Sequence, residues 1–176
     1  MRWVSVTRCL SILNRYEGLP YRLKDQAMDE GTRTSRAALG WVKGLYFPAT
    51  EDIALSVEGF KRWFHETVEE VLCVEEELKD KRLCLIGHVD LIVRLKRERL
   101  FSVLDLKRST ADWAVALQLA AYEYMAEKKF RRKFGTRFAL LVGKDGQIRM
   151  VPFTDPNDWP MFLGVYSLYN HSRKAA

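Results

Sequence analysis

The period of the apolar residues changes several times along this chain, and each change predicts an element. Val6, Cys9, Leu10 and Leu13 recur at helical spacing over residues 5–14, and Gly18-Leu19-Pro20 breaks the segment. A second helical pattern covers residues 21–42, with a kink or restart predicted near Gly31. Residues 44–50 read as a loop. Residues 56–70 are helical, with Phe60, Trp63, Phe64 and Thr67 on one face. The period then falls to two. Strands are predicted at 71–78, 83–95 and 100–107, joined by the short charged turns 79–82 and 96–99. A helix follows over 111–130, then a hairpin of 138–142 and 147–151 around Lys144-Asp145-Gly146, and a last helix over 156–173.

Turns this short make the three consecutive strands antiparallel neighbours. The order of helices, three-strand meander, helix, hairpin and helix predicts one α/β sandwich-like domain spanning residues 1–176. No internal repeat, low-complexity linker or domain boundary interrupts it.

Two positions violate the strand pattern. Asp90 lies inside Gly87-His88-Val89-Asp90-Leu91-Ile92-Val93, and Asp105 lies inside Phe101-Ser102-Val103-Leu104-Asp105-Leu106-Lys107. An ionised carboxylate in an apolar strand is costly unless it is compensated. A turn centred between residues 97 and 98 places Asp90 opposite Asp105 and His88 opposite Lys107, all four on one face. Opposed residues have Cβ atoms about 4.5–5.5 Å apart, within reach of one divalent ion. Mg²⁺ takes a few carboxylates plus waters and substrate phosphate. Lys107 would then orient a water or neutralise charge growing on a phosphate. The competing reading is an inert buried ion network of Lys107 with the two acids. A symmetric first hairpin, centred on residues 80 and 81, puts Glu75 opposite Ile86 on the Asp90 face. That makes it a weaker metal candidate, as is His88.

Composition narrows the classes. The chain has 176 residues, 48% hydrophobic and 30% charged, as in a soluble globular protein. No apolar run approaches the roughly 20 residues that span a bilayer, and the first residues lack the apolar region of a secretory signal. A cytoplasmic protein without a membrane partner is expected. Cys9, Cys73 and Cys84 are too few and too scattered for an iron–sulfur cluster. The net charge of +6 favours an anionic partner, nucleic acid before membrane. Lys128, Lys129, Arg131 and Arg132 form a basic run at the end of the predicted helix, and Arg33 and Arg36 lie on an earlier one. All six are candidate phosphate contacts, and equally charges on a solvated surface.

At these residues the chain resembles the PD-(D/E)XK nuclease superfamily, in its RecB-like and phage exonuclease branch. Gly87-His88-Val89-Asp90 resembles the family's Gly-x-x-Asp motif, Asp105-Leu106-Lys107 its Asp-x-Lys motif, and Gln118-Leu119-Ala120-Ala121-Tyr122 its Gln-x-x-x-Tyr motif. The order and spacing match as well. Ser5-Val6-Thr7-Arg8-Cys9-Leu10 resembles the start of many phage members, and Val74-Glu75 the segment before their Gly-x-x-Asp strand.

The resemblance implies a restriction-endonuclease-like core: a mixed β-sheet, antiparallel meander plus further strands, flanked by helices. It implies Mg²⁺- or Mn²⁺-dependent cleavage of linear or single-stranded DNA in phage recombination or repair. Asp90 and Asp105 carry over as metal ligands, Leu106 as a backbone-carbonyl ligand, Lys107 as the catalytic lysine, and Gln118 and Tyr122 as site residues. Rings and monomers both occur in the family, so a homo-oligomer and a phage recombination partner stay open. One departure stands out. Many members carry a histidine four residues after a glycine on an early helix, where Gly31-Thr32-Arg33-Thr34-Ser35 has serine. That implies a single metal, a substitute ligand such as His88, or a nuclease-fold DNA-binding protein with impaired catalysis.

Overall fold

The structure is a computed structural model. It describes residues 3–13, 21–108 and 110–174, with only the backbone at 21–28 and 174. The break predicted at Gly18-Leu19-Pro20 lies outside the described residues.

The elements are β1 (Val4–Ser5), α1 (Val6–Leu10) with a 3₁₀ turn at Ser11–Leu13, α2 (Tyr21–Val42) and α3 (Glu51–Thr67). Then come β2 (Val68–Asp80), β3 (Leu85–Leu95), β4 (Phe101–Lys107), α4 (Trp113–Phe130), β5 (Arg137–Val142), β6 (Ile148–Phe153) and α5 (Asp158–Lys174). They form one six-stranded mixed sheet in the order β1-β3-β4-β5-β6, with β2 also paired to β3. One face packs on α1, α4 and α5 through Leu10, Val103, Leu119, Met125 and Phe162. The other packs on α2 and α3 through Leu39, Phe60, Leu91, Leu104 and Leu140. No helix among the described residues is long and apolar enough to cross a membrane.

Three boundaries differ from expectation, each for a physical reason. Helix α2 runs through Gly31 without a break. A glycine costs a helix about 1 kcal/mol, and burial of Ala37, Ala38 and Leu39 outweighs it. Helix α3 starts at Glu51, because Glu51 and Asp52 in its first turn complement the helix dipole. It stops at Thr67, where Val68 turns extended and begins β2.

The first hairpin is also longer than expected. Its ladder runs from Asp80↔Leu85 through Glu77↔His88 to Val74↔Leu91. Asp80 stays in the strand because its buried carboxylate has two partners: the Leu83 N–H donates to it at 2.9 Å and the Lys128 ammonium at 2.5 Å. Glu75 is therefore level with Asp90, not with Ile86.

The second hairpin keeps the expected register, Leu91↔Leu104 to Arg94↔Phe101. Its ladder then stops one pair short of the acids. From Leu104 onward β4 pairs with β5 (Leu104↔Phe138 to Lys107↔Leu141), in parallel. Beyond the gap, β1 joins β3 at Leu85 and Ile86. The sheet thus forks: along β3, residues 87–90 lie between the departure of β4 and the arrival of β1. The expected pairing of His88 with Lys107 is lost to this fork, since the β3–β4 ladder ends at Leu91↔Leu104 and β1 takes the edge of β3 beyond it at Leu85 and Ile86.

Candidate active site

The fork opens a cavity of about 1030 Å³ lined by Ser5, Gly87, His88, Asp90, Asp105, Lys107, Gln118 and Tyr122, with Ser35 and Arg36 from α2. At its centre the pleat slips. Val89 belongs to the cluster under α4 and Leu91 to the cluster under α2, although they are two residues apart. Glu75, level with them on β2, has a left-handed φ of 48°. Such irregularities are common beside active sites because they re-aim a side chain. Here the slip falls at Asp90. Its Oδ2 leaves the normal pleat and accepts the Leu106 N–H at 2.7 Å.

Asp105 is buried at the end of β4. Its Oδ1 accepts 2.9 Å from the Gln118 amide, and the Lys107 ammonium is 2.5 Å from its Oδ2. That Oδ2 is nevertheless buried without a well-aligned hydrogen bond. Gln118 also donates to Tyr122 Oη at 3.1 Å and accepts from Lys107 at 3.5 Å.

Helix α4 can hold this buried amide because of its own sequence. Asp112 caps it, accepting the Ala114 and Val115 N–H groups. The small side chains Ala114, Ala116, Ala120 and Ala121 are buried around it and let it approach the sheet closely. Gln118 and Tyr122, one turn apart, fall on the sheet-facing side.

Electrostatics follow from crowding two acids in one place. Burial, then the Asp105 charge, pushes the Asp90 carboxyl up to about 7, while the Leu106 N–H and the Lys107 charge pull the other way. Asp90 keeps an edge of solvent contact through the cavity. Burial and the Asp105 charge also push the Tyr122 phenol above its usual range.

Among the described residues no group of three or more His, Cys, Asp and Glu side chains gathers for a metal. The two carboxylates, with Asp105 Oδ2 lacking a well-aligned hydrogen bond, nevertheless fit one hard divalent cation that keeps waters and a substrate phosphate as its other ligands. Glu75 reaches the cavity wall, adds negative charge toward Asp90, and is held 2.7 Å from the Lys43 ammonium. His88 also reaches the wall, with its imidazole 3.7 Å from Glu77. Leu106 lines the cavity.

The basic candidates separate. Arg36 lines the cavity, its guanidinium 4.8 Å above the Phe47 ring. Arg33 does not, because Asp29 and both oxygens of Asp52 occupy its donors at 2.8–3.1 Å. Lys128 is tied to Asp80 and Tyr124, and Lys129 to Glu76 and the Glu77 carbonyl. Arg131 and Arg132 line a separate hollow of about 450 Å³ with Lys128 and Lys133.

Sequence reasoning missed Arg108, which lines the cavity beside Lys107. Adjacent strand residues face opposite ways, so nothing in the local pattern tied Arg108 to the acids.

Gly87 supplies a steric requirement. A Cβ there would sit 2.5 Å from a Tyr122 ring carbon and 3.2 Å from the Met125 methyl. Glycine lets the aromatic ring lie on the β3 backbone, and the ring positions Gln118. Gly87→Ala is expected to cost about 1–3 kcal/mol of stability and to lower activity more than unfolding explains. Thermal melts beside cleavage rates check this; full activity per folded molecule would show that the ring is not positioned from Gly87.

A mixed sheet that forks over two acids, a lysine and a buried glutamine–tyrosine pair gives the chain a restriction-endonuclease-like fold with its charged groups gathered in one cavity. A family model of the PD-(D/E)XK nuclease superfamily matches residues 13–157, and the chain belongs to that superfamily. No curated protein matches it. Among solved structures, one from Eubacterium rectale named "Putative exonuclease" has a similar fold, with a TM-score of 0.56 at 11% identity, covering 98% of this chain and 79% of the other. Members of this superfamily generally use divalent metal ions.

Proposed function

We propose that this chain is a Mg²⁺- or Mn²⁺-dependent deoxyribonuclease, an exonuclease that hydrolyses DNA phosphodiester bonds from an end, in phage or prophage recombination or repair. The supporting observation is the network Lys107–Asp105–Gln118–Tyr122 beside Asp90, in a cavity large enough for a nucleotide. Asp90 and Asp105 would hold the ion, and Leu106 would offer its carbonyl. A cation held there would supply polarisation of a phosphate oxygen and a lowered pKa for a water.

The remaining work falls to the chain. Gln118 fixes the Asp105 carboxylate by its amide, so the acid does not reorganise during the reaction. Lys107 carries its ammonium to the same carboxylate, where it can orient the attacking water and offset charge on the phosphate. Water attacks phosphorus and gives up one proton to solvent, the bond to the leaving oxygen breaks, and that oxygen takes up a proton from solvent. The Asp90 carboxyl, held neutral more readily than an ordinary acid, must lose its proton before it can bind a cation.

The purified protein is expected to degrade linear DNA with Mg²⁺ or Mn²⁺, to stop with EDTA, and to leave covalently closed circles intact. Cleavage of closed circles would replace the exonuclease with an endonuclease. Metal-independent DNA binding without cleavage would favour the impaired nuclease fold, in line with Ser35 on the cavity wall.

A further inference from the structure

Lys107 and Arg108 leave the end of β4 on opposite sides. Lys107 turns to Asp105 and α4. Arg108 turns under α2 and α3, where its Nη1 donates to Ser56 Oγ at 2.5 Å and to the Val142 carbonyl at 3.4 Å. Its side chain is only 9% exposed, yet it lines the same cavity as Asp90, Asp105 and Lys107. Nε and Nη2 are buried without a hydrogen bond.

The nearest opposite charge is Glu30 on α2, and Arg108 shares it. Arg108 Nη2 stands 3.6 Å from Glu30 Oε2, whereas the Lys144 ammonium approaches the same oxygen to 2.7 Å. Lys144 is also the main reason the Glu30 carboxyl lies below its usual range. Two cations therefore share one carboxylate, and the closer contact belongs to Lys144. Arg108 keeps only a loose ion pair, with two donors that make no hydrogen bond in the wall of the site. Burying an arginine this way is costly, and the cost is relieved when an anion supplies acceptors. A planar guanidinium with adjacent free N–H groups matches two phosphate oxygens.

We propose that Arg108 is a phosphate-binding residue for the DNA strand, contacting a phosphate next to the one cleaved, with Glu30 competing for the guanidinium until DNA arrives. This rests on the nucleolytic reading above. Lys107 meets the scissile group from the α4 side, and Arg108 grips the strand from the α2 side. Arg36, on the same helix as Glu30, also lines the cavity and extends the positive wall.

The test measures binding of a labelled oligonucleotide in EDTA, where no cleavage competes, and places single uncharged methylphosphonates along the strand near the mapped cleavage site. Arg108→Gln is expected to weaken binding about 10-fold and to reduce the salt dependence by about one counterion. One methylphosphonate position should cost the wild type a similar factor and cost Arg108→Gln nothing. Glu30→Gln should tighten binding by about 3-fold, an effect that loss of a structural ion pair does not produce. Arg108→Lys, which keeps the charge and loses the paired donors, should fall between wild type and Arg108→Gln, and it serves if Arg108→Gln does not fold. Equal methylphosphonate penalties in wild type and variant, or no gain from Glu30→Gln, would overturn the assignment while leaving nuclease activity intact. Absence of DNA binding and cleavage in the wild type would sink both readings together.

Discussion

Asp105→Asn is expected to reduce metal-dependent DNA cleavage by at least about 10³-fold while leaving the protein folded. The asparagine oxygen can still accept from Gln118, so the buried hydrogen bond survives. What disappears is the charge. Without it the site loses one of two carboxylates for a cation and the partner of the Lys107 ammonium, and electrostatic contributions of this kind are worth several kcal/mol in a shielded site. Lys107→Ala should give a comparable loss. Single-turnover cleavage of linear DNA, with circular dichroism to confirm folding, checks both. Activity that survives both substitutions would place the chemistry elsewhere in the molecule.

Asp90→Asn is expected to abolish cleavage and yet stabilise the metal-free protein above neutral pH. In the folded state the Asp90 carboxyl binds its proton up to about 7, against an ordinary value of 3.8. Between those values the folded chain holds a proton that the unfolded chain has released, so stability falls as pH rises across this window. The loss is on the order of 2–4 kcal/mol for a shift of this size. Asparagine carries no such penalty and can still accept the Leu106 N–H. Urea unfolding in EDTA should show the wild type weakening from pH 5 to pH 8 relative to Asp90→Asn. Added Mg²⁺ should stabilise the wild type by mass action and leave the variant unmoved. Parallel pH curves for the two proteins would mean that Asp90 is not held neutral.

Both effects have the same origin. A site that brings two carboxylates together in a partly dry fork stores electrostatic repulsion, and a cation relieves it. Such sites commonly trade stability for activity.

The acid and lysine positions were legible because they break a local pattern. Asp90 and Asp105 interrupt apolar alternation, and the short connection between β3 and β4 fixes a register that holds from Leu91↔Leu104 to Arg94↔Phe101. The turn of the first hairpin lies two residues later than the sequence pattern places it, since the buried partners of Asp80 come from Leu83 and from Lys128 on a distant helix. Glu75 is therefore level with Asp90, while His88 does not pair with Lys107 because the β3–β4 ladder ends at Leu91↔Leu104. Gly31 read locally as a kink, and tertiary packing overrode it. The basic run at the end of α4 leaves DNA contact and a solvated surface equally open in the sequence; in the structure Lys128 and Lys129 are engaged by strand β2.

By itself the sequence determined the helices, the meander, and the acids Asp90 and Asp105 with Lys107, because periodicity and turn length are local properties of the chain; Gln118 and Tyr122 joined them only through the family resemblance. Only the tertiary structure decided that the set sits in a fork. The fork exists because the β3–β4 ladder ends at Leu91↔Leu104 and β1 takes the same edge of β3 beyond it, while β5 holds the far edge of β4; the β1 and β5 pairings join segments far apart in sequence. The same long-range packing sets the Asp90 carboxyl against Leu106 and leaves Arg108 half-answered by Glu30. Such contacts depend on which backbones meet, and no residue pattern along one strand specifies that.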